Sequence, residues 1–358
     1  MERYIEAIML LIAILFSSCN NISKRDGIED ISKNYNLSFS YKKELLLSHP
    51  RLAMSDSFLV IVSSGQDEIC TVCDVYNEMD EVCRYGKIGN GPGEFIQPLL
   101  TYAYGNTFGL NEVGKQELAI MGIKQEKEKV MVYEKDRLKT QYKRQRGNWI
   151  PSDYYFVKLD EKHYVSLTGT ENGKFFTLSD SAMVPIKKFG ESPVEYELAA
   201  INSRNRLSGK IVAYHGKMAF ATTKLPYLAF YEMNNGNMVK KWSLYYAETV
   251  YGVRNGDLLF DKDKATGPAL DIKMDEKYIY VLYMKQLLSE YDYYNSEKSC
   301  SDKVLVFDHA GSMVACLNLN CRIQEMAVWG KGLKLFGISQ DPDISLVTFD
   351  LPKNLYAE

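Results

Sequence analysis

Six short hairpins recur along this chain at nearly constant spacing, and that recurrence restricts the fold more than any other feature. Each consists of an apolar run, a three-residue turn and a second apolar run. The paired runs are residues 51–54 and 58–62, 101–104 and 108–110, 157–159 and 163–167, 211–214 and 218–220, 272–274 and 278–282, and 326–329 and 333–336. Their turns begin at Ser55, Gly105, Asp160, His215, Asp275 and Gly330, separated by 50, 55, 55, 60 and 55 residues. Two turns share one tripeptide, Asp160-Glu161-Lys162 and Asp275-Glu276-Lys277, each after an aliphatic-Lys-aliphatic triplet. Turns of this composition suit tight hairpins. A further extended run follows most hairpins, at residues 69–75, 117–123, 174–179, 227–232 and 344–350.

A repeat of about 55 residues with three to four short strands is the mark of a propeller blade. One twisted four-stranded sheet cannot bury both of its faces, whereas radial packing of blades buries both. The predicted fold is therefore all-β, a six-bladed β-propeller. Its sixth repeat holds strands near residues 323–329, 333–338 and 345–349, and no fourth. Residues 37–47 precede the first repeat and are predicted to supply the missing outermost strand, closing the ring.

The 358 residues are 46% hydrophobic, enough for a large core, and 26 tyrosines suit half-buried strands. A net charge of −3 and a pI near 6.0 argue against a nucleic-acid partner. The basic run at residues 135–146 reads as a solvated loop.

Residues 7–16 are unbroken apolar sequence, followed by Ser17, Ser18 and Cys19. As a helix such a run rises about 15 Å, half of a bilayer core of about 30 Å. A short apolar run before small residues is the pattern of an export signal; a buried segment of the fold is the other reading. The run with Cys19 resembles the lipobox of bacterial lipoproteins, in which the cysteine carries the lipid. This divides the chain into a signal peptide at 1–18, a tether at 19–36 and the propeller at 37–358.

The other cysteines are Cys70, Cys73, Cys83, Cys300, Cys316 and Cys321. If Glu78 centres a turn, Cys73 and Cys83 face each other across a hairpin, a pairing that one step of register would undo. Cys70 and Cys73 have metal-site spacing but point to opposite faces of a strand, so buried thiols are expected instead. His49, His163, His215 and His309 are scattered, and no Ser/His/Asp arrangement is distinguishable. Glycines 89, 91 and 93 lead into Glu94 and Phe95, without the Gly-Lys-Ser/Thr of a phosphate loop. Asp261/Asp263 and Asp341/Asp343 lack the further ligands of a calcium loop and read as turn acids. No catalytic residue, metal or cofactor is predicted.

Two features remain as candidates. Residues 285–302 form an insertion within the fifth repeat, and its Tyr291, Tyr293 and Tyr294 could stack against a sugar or a peptide. The inner strands are apolar or tyrosine-rich except for Arg51, Lys158, Asp271, Lys273 and Glu325. Carboxylates converging with a histidine or metal in the channel would indicate an enzyme; a tyrosine-lined mouth would indicate binding.

The stretch Tyr85-Gly-Lys-Ile-Gly-Asn-Gly-Pro-Gly-Glu-Phe-Ile-Gln-Pro98 resembles the segment between blades in NHL-type propellers, with Phe95 expected to plug the space between two blades. Weaker echoes occur at residues 189–193 and 266–268, and residues 304–314 resemble the outer hairpin of the same propellers. With the lipobox-like start, the chain resembles the TolB-like six-bladed β-propeller lipoproteins of Bacteroidetes. The resemblance implies an outer-membrane lipoprotein of the cell envelope, held in the membrane by its lipid. It also implies a binding or scaffold role with a protein or glycan partner. The alternative is a hydrolase or lyase acting on glycans or esters at the channel mouth.

Overall fold

The computed structural model describes residues 21–25, 33–140, 156–194, 209–290 and 299–357, interrupted at 46, 64–66, 78, 113, 128, 172–173, 255–256 and 268. Six antiparallel sheets stand around a central channel. From the channel outward, blade 1 holds Arg51–Ser55, Phe58–Val62, Glu68–Asp74 and Asp80–Lys87. Blade 2 holds Pro98–Tyr104, Thr107–Glu112, Glu117–Glu126 and Lys129–Lys139. Blade 3 holds Phe156–Lys158, His163–Glu171, Lys174–Asp180 and Pro185–Phe189. Blade 4 holds Gly209–Tyr214, Lys217–Thr222, Tyr227–Asn234 and Asn237–Tyr245. Blade 5 holds Ala269–Met274, Tyr278–Tyr283, Ser301–Asp308 and Met313–Ile323. Blade 6 holds Glu325–Trp329, Lys334–Ser339, Ser345–Asp350 and, from the start of the chain, Phe39–Glu44.

Burial explains the sequence of each strand. The second strand of a blade is covered on both faces by neighbouring blades, so it is buried along its length rather than on alternate residues, and is mostly apolar. Phe58–Val62 is Phe-Leu-Val-Ile-Val and wholly buried. The outermost strands face solvent; in Pro185–Phe189 only the final residue is buried. Neighbouring inner strands touch all the way round, and the sixth touches the first.

The ring closes as the sequence predicts. Phe39–Glu44 runs antiparallel to Ser345–Asp350, with Glu44 opposite Ser345 and Phe39 opposite Phe349. Leu45 N–H then donates to the Ile344 carbonyl at 2.7 Å. Both ends of the chain thereby share one sheet, which offsets the entropy cost of closing the ring.

Two expectations need correction. Part of the stretch read as a tether is paired into sheets. Asn21–Arg25 pairs with Thr249–Arg254, which pairs in turn with Asp257–Phe260 beside the crossing from blade 4 to blade 5. Asn34–Leu37 lies parallel to the outer strand of blade 5, with Asn34 opposite Cys316 and Leu37 opposite Leu319. The second correction concerns Cys73 and Cys83. A bulge between Val72 and Cys73 sets Cys83 opposite Val72 and Cys73 opposite Glu81. The turn is centred on residue 77, with Asp74 opposite Asp80, one step short of the centre at residue 78 that would have faced the two thiols. None of Cys70, Cys73, Cys83, Cys300, Cys316 and Cys321 is in a disulfide. Burial pushes the Cys73 and Cys300 thiols up to about 11.

The glycine-rich segment makes the crossing from blade 1 to blade 2. Phe95 is fully buried in the core shared by those blades. Its amide donates to the Lys87 carbonyl, and its own carbonyl accepts from Gly89. Gly86 has φ +82°, and a Cβ there would lie 2.6 Å from the Ile69 side chain. The buried Glu112 carboxylate fixes the far end by accepting from the amides of Ile96 and Gln97, at 2.8 and 2.9 Å.

Candidate ligand site in the central channel

In every blade the inner strand lies at the edge of its sheet, so six strand edges face the channel with one side unpaired. The cavity they enclose measures about 740 Å³. That lies within the usual range for a small-molecule site. Its two ends are chemically different.

Charged side chains from four blades meet where the inner strands begin. Arg51 Nη1 of blade 1 lies 2.8 Å from Glu325 Oε2 of blade 6. Lys210 Nζ of blade 4 reaches Asp271 Oδ1 of blade 5 at 3.2 Å and Glu325 Oε2 at 3.4 Å. Lys273 Nζ reaches Asp271 Oδ2 at 3.1 Å and Glu325 Oε1 at 3.7 Å. The Met326 amide, on the unpaired edge of blade 6, donates to Asp271 Oδ2 at 3.0 Å. Burial alone would raise the Asp271 carboxyl, but Lys210, Lys273 and the Met326 amide outweigh it and hold the group below its ordinary value. The carboxylates are sealed in, at 2% exposure for Asp271 and 8% for Glu325, while Arg51, Lys273 and Lys210 retain 31%, 22% and 17%.

The other end, where the inner strands turn back, is aromatic and acidic. Tyr104, Tyr214, His215, Trp329 and Tyr356 line it. The Tyr104 and His215 rings lie 5.3 Å apart, and those of Tyr214 and His215 4.4 Å. The Lys158 ammonium sits 4.7 Å from the centroid of Tyr104 and 3.1 Å from Glu161 Oε2. Four carboxylates, Asp56, Glu161, Asp275 and Glu276, line this end with two lysines, Lys277 and Lys331.

Tight turns place these groups. His215 and Gly216 both have positive φ, at 46° and 81°, as a two-residue hairpin of this kind requires. In blade 5 the Asp275 side chain organises the turn instead, Oδ1 accepting from the amides of Lys277 and Tyr278 at 2.9 and 2.8 Å. Asp275 Oδ2 accepts from the hydroxyls of Tyr280 and Tyr356. Through Tyr356 the C-terminal helix Lys353–Tyr356 is fastened to the rim.

Of the five charged inner-strand residues singled out in the sequence, the structure brings Arg51, Asp271, Lys273 and Glu325 together. Lys158 stands apart on Tyr104. Lys210 was not anticipated, although its position two residues into the inner strand of blade 4 carries the same signal. Tyr291, Tyr293, Tyr294 and Cys19 lie outside the described residues. The histidines stay separate: His163 binds Asp160 at 2.9 Å, and His309 lies 3.1 Å from Lys217 and stacks on Phe230. Burial and then the Lys217 charge lower the His309 pKa. Among the described residues no group of three or more His, Cys, Asp or Glu could hold a metal ion. In the described part of the basic run, Arg137 pairs with Glu117 at 3.0 Å and Glu134 at 2.6 Å.

No family model matches the chain, and no curated protein does. Solved structures resemble it at low identity. A Bacteroides fragilis protein named only as an exported protein shares 10% identity at a TM-score of 0.47, over 94% of this chain and 98% of that one. BamB from Moraxella catarrhalis shares 11% at 0.39, over 84% of each chain. The β-propeller domain of Cps50 (Swd1) from Myceliophteria thermophila shares 10% at 0.38, over 84% and 83%.

Proposed function

We propose that this protein is an exported, lipid-anchored propeller of the cell envelope that binds its ligand in the central channel. In this reading it belongs among the TolB-like lipoproteins, Cys19 carries the lipid, and the partner is a protein or peptide rather than nucleic acid. One observation carries the binding role over catalysis. Both carboxylates deep in the channel are consumed by three cations and a backbone amide. Asp271, held ionised in that way, is a poor general acid, and among the described residues no histidine stands beside it to act as a base. The open rim instead offers aromatic faces, which bind by stacking and cation–π contact.

Native mass spectrometry of the protein purified from its own envelope tests the binding role. A bound species should be present in the wild type and reduced in a Tyr104→Ala/Tyr214→Ala variant. Equal occupancy in both would place the ligand elsewhere. Growth with labelled palmitate tests the anchor: label should enter the wild type, and label persisting in Cys19→Ala would refute it.

A further inference from the structure

We infer that the channel ligand is a short peptide that enters carboxyl end first. This rests on the channel being the binding site, and it specifies what the channel reads. The first observation is polarity. Where the inner strands begin, three cations stand against two carboxylates among the described residues, and the cations are the more exposed partners. An entering group at that depth therefore meets Arg51, Lys210 and Lys273, which is a setting for an anion. At the rim the balance tips the other way, with four carboxylates against three lysines, Lys158, Lys277 and Lys331. A molecule negative at its leading end and positive or neutral at its trailing end satisfies both.

Length is the second observation. The inner strand Arg51–Ser55 of blade 1 runs four steps before the chain turns back. At about 3.3 Å per step the two ends lie roughly 13 Å apart. An extended peptide has the same rise, so about four residues span the distance.

The third observation is the wall. Six unpaired strand edges present backbone N–H and C=O groups to the channel. Asp271 already satisfies one such amide, that of Met326, which illustrates how these edges take up a carboxylate oxygen. A peptide backbone matches strand edges group for group, and added-strand pairing and carboxylate capture are both established modes of peptide recognition. The seating of Lys158 on Tyr104 shows that the rim accommodates an ammonium, the group at a peptide's other end.

The experiment uses the purified protein and a mixed library of tetrapeptides with free termini, the same library amidated at the carboxyl end, and tetragalacturonate. Bound species are read by native mass spectrometry, and affinities of retained peptides by calorimetry. Free-acid peptides should be retained and amidated ones should bind at least about tenfold more weakly, the loss expected for one charge-assisted contact. Arg51→Gln leaves Glu325 paired with Lys210 and Lys273, so it should fold, and it should weaken free-acid peptides by a similar factor while leaving amidated ones unchanged. Equal retention of both libraries overturns the inference, as does retention of tetragalacturonate alone or of nothing. If no peptide binds but the natural ligand is still lost in Tyr104→Ala/Tyr214→Ala, the peptide is refuted and the channel site stands. If free-acid peptides bind that variant and Arg51→Gln as well as the wild type, the channel site itself is refuted.

Discussion

The two ends of the channel are built from the same six strands, yet they distribute their charge differently. At the strand beginnings, charges from blades 1, 4, 5 and 6 close on one another across the channel, and Asp271 is 2% exposed. At the turns the pairing is more local: Glu161 pairs with Lys158 three residues away in its own blade and is 74% exposed, while Lys158 itself is covered by Tyr104 of blade 2. The deep cluster is therefore structural as well as receptive, because it ties four blades together. The rim is chiefly receptive. The two Asp-Glu-Lys turns sharpen the point. In blade 3 Asp160 holds its own turn and His163, whereas the matching Asp275 in blade 5 also fastens the C-terminal helix through Tyr356.

Deleting residues 36–47 should have the largest effect, because it abolishes both ends at once. Without Phe39–Glu44, blade 6 has an open outer edge, and Glu325 loses the frame that brings it to Arg51. Loss of a cooperative thermal transition is expected; an unchanged melting curve would break the closure argument. Asp271→Asn comes next. It removes one of the two buried counter-charges of Lys210 and Lys273, leaving Glu325 alone against three cations, and should cost about 3 kcal/mol in urea unfolding.

Acid should separate the two ends further. The Asp271 carboxyl sits below its ordinary value in the folded state. Its contribution to stability is complete above the unfolded pKa of about 4 and is lost as pH falls through the lower folded value. Unfolding free energy measured from pH 5 downward should fall more steeply in the wild type than in Asp271→Asn. Parallel curves would mean that the cluster is not what acid breaks.

The rim predicts smaller changes. Asp275→Asn weakens the turn and the hold on Tyr356, and should cost about 1–2 kcal/mol. Tyr214→Ala, on a half-exposed ring, should cost less than about 1 kcal/mol while lowering ligand occupancy. A rim substitution that destabilised as much as Asp271→Asn would erase the contrast between the ends.

Much of this was legible in the sequence, for a physical reason. Each blade must bury both faces of its second strand, so runs such as Phe58–Val62 and Tyr278–Tyr283 stand out, and their spacing counts the blades. The closing strand was legible because blade 6 lacked one. Arg51, Asp271, Lys273 and Glu325 stood out as charges in apolar strands. Their convergence was not visible, since it depends on the position of each along its strand and on the blades facing one another across a channel. Lys210 escaped notice for the same reason. The parallel pairing of Asn34–Leu37 leaves no local pattern, because it does not change the alternation of the strand, and the bulge opposite Val72/Cys73 falls in an outer strand whose half-exposed residues alternate only weakly.

The most direct test of the opposed ends is a crystal structure of the protein with a tetrapeptide bearing free termini. The peptide carboxylate should lie against Arg51, Lys210 and Lys273, with the ammonium at the rim beside Tyr104 and Tyr214. A carboxylate found at the rim, or a peptide bound outside the channel, would contradict the account.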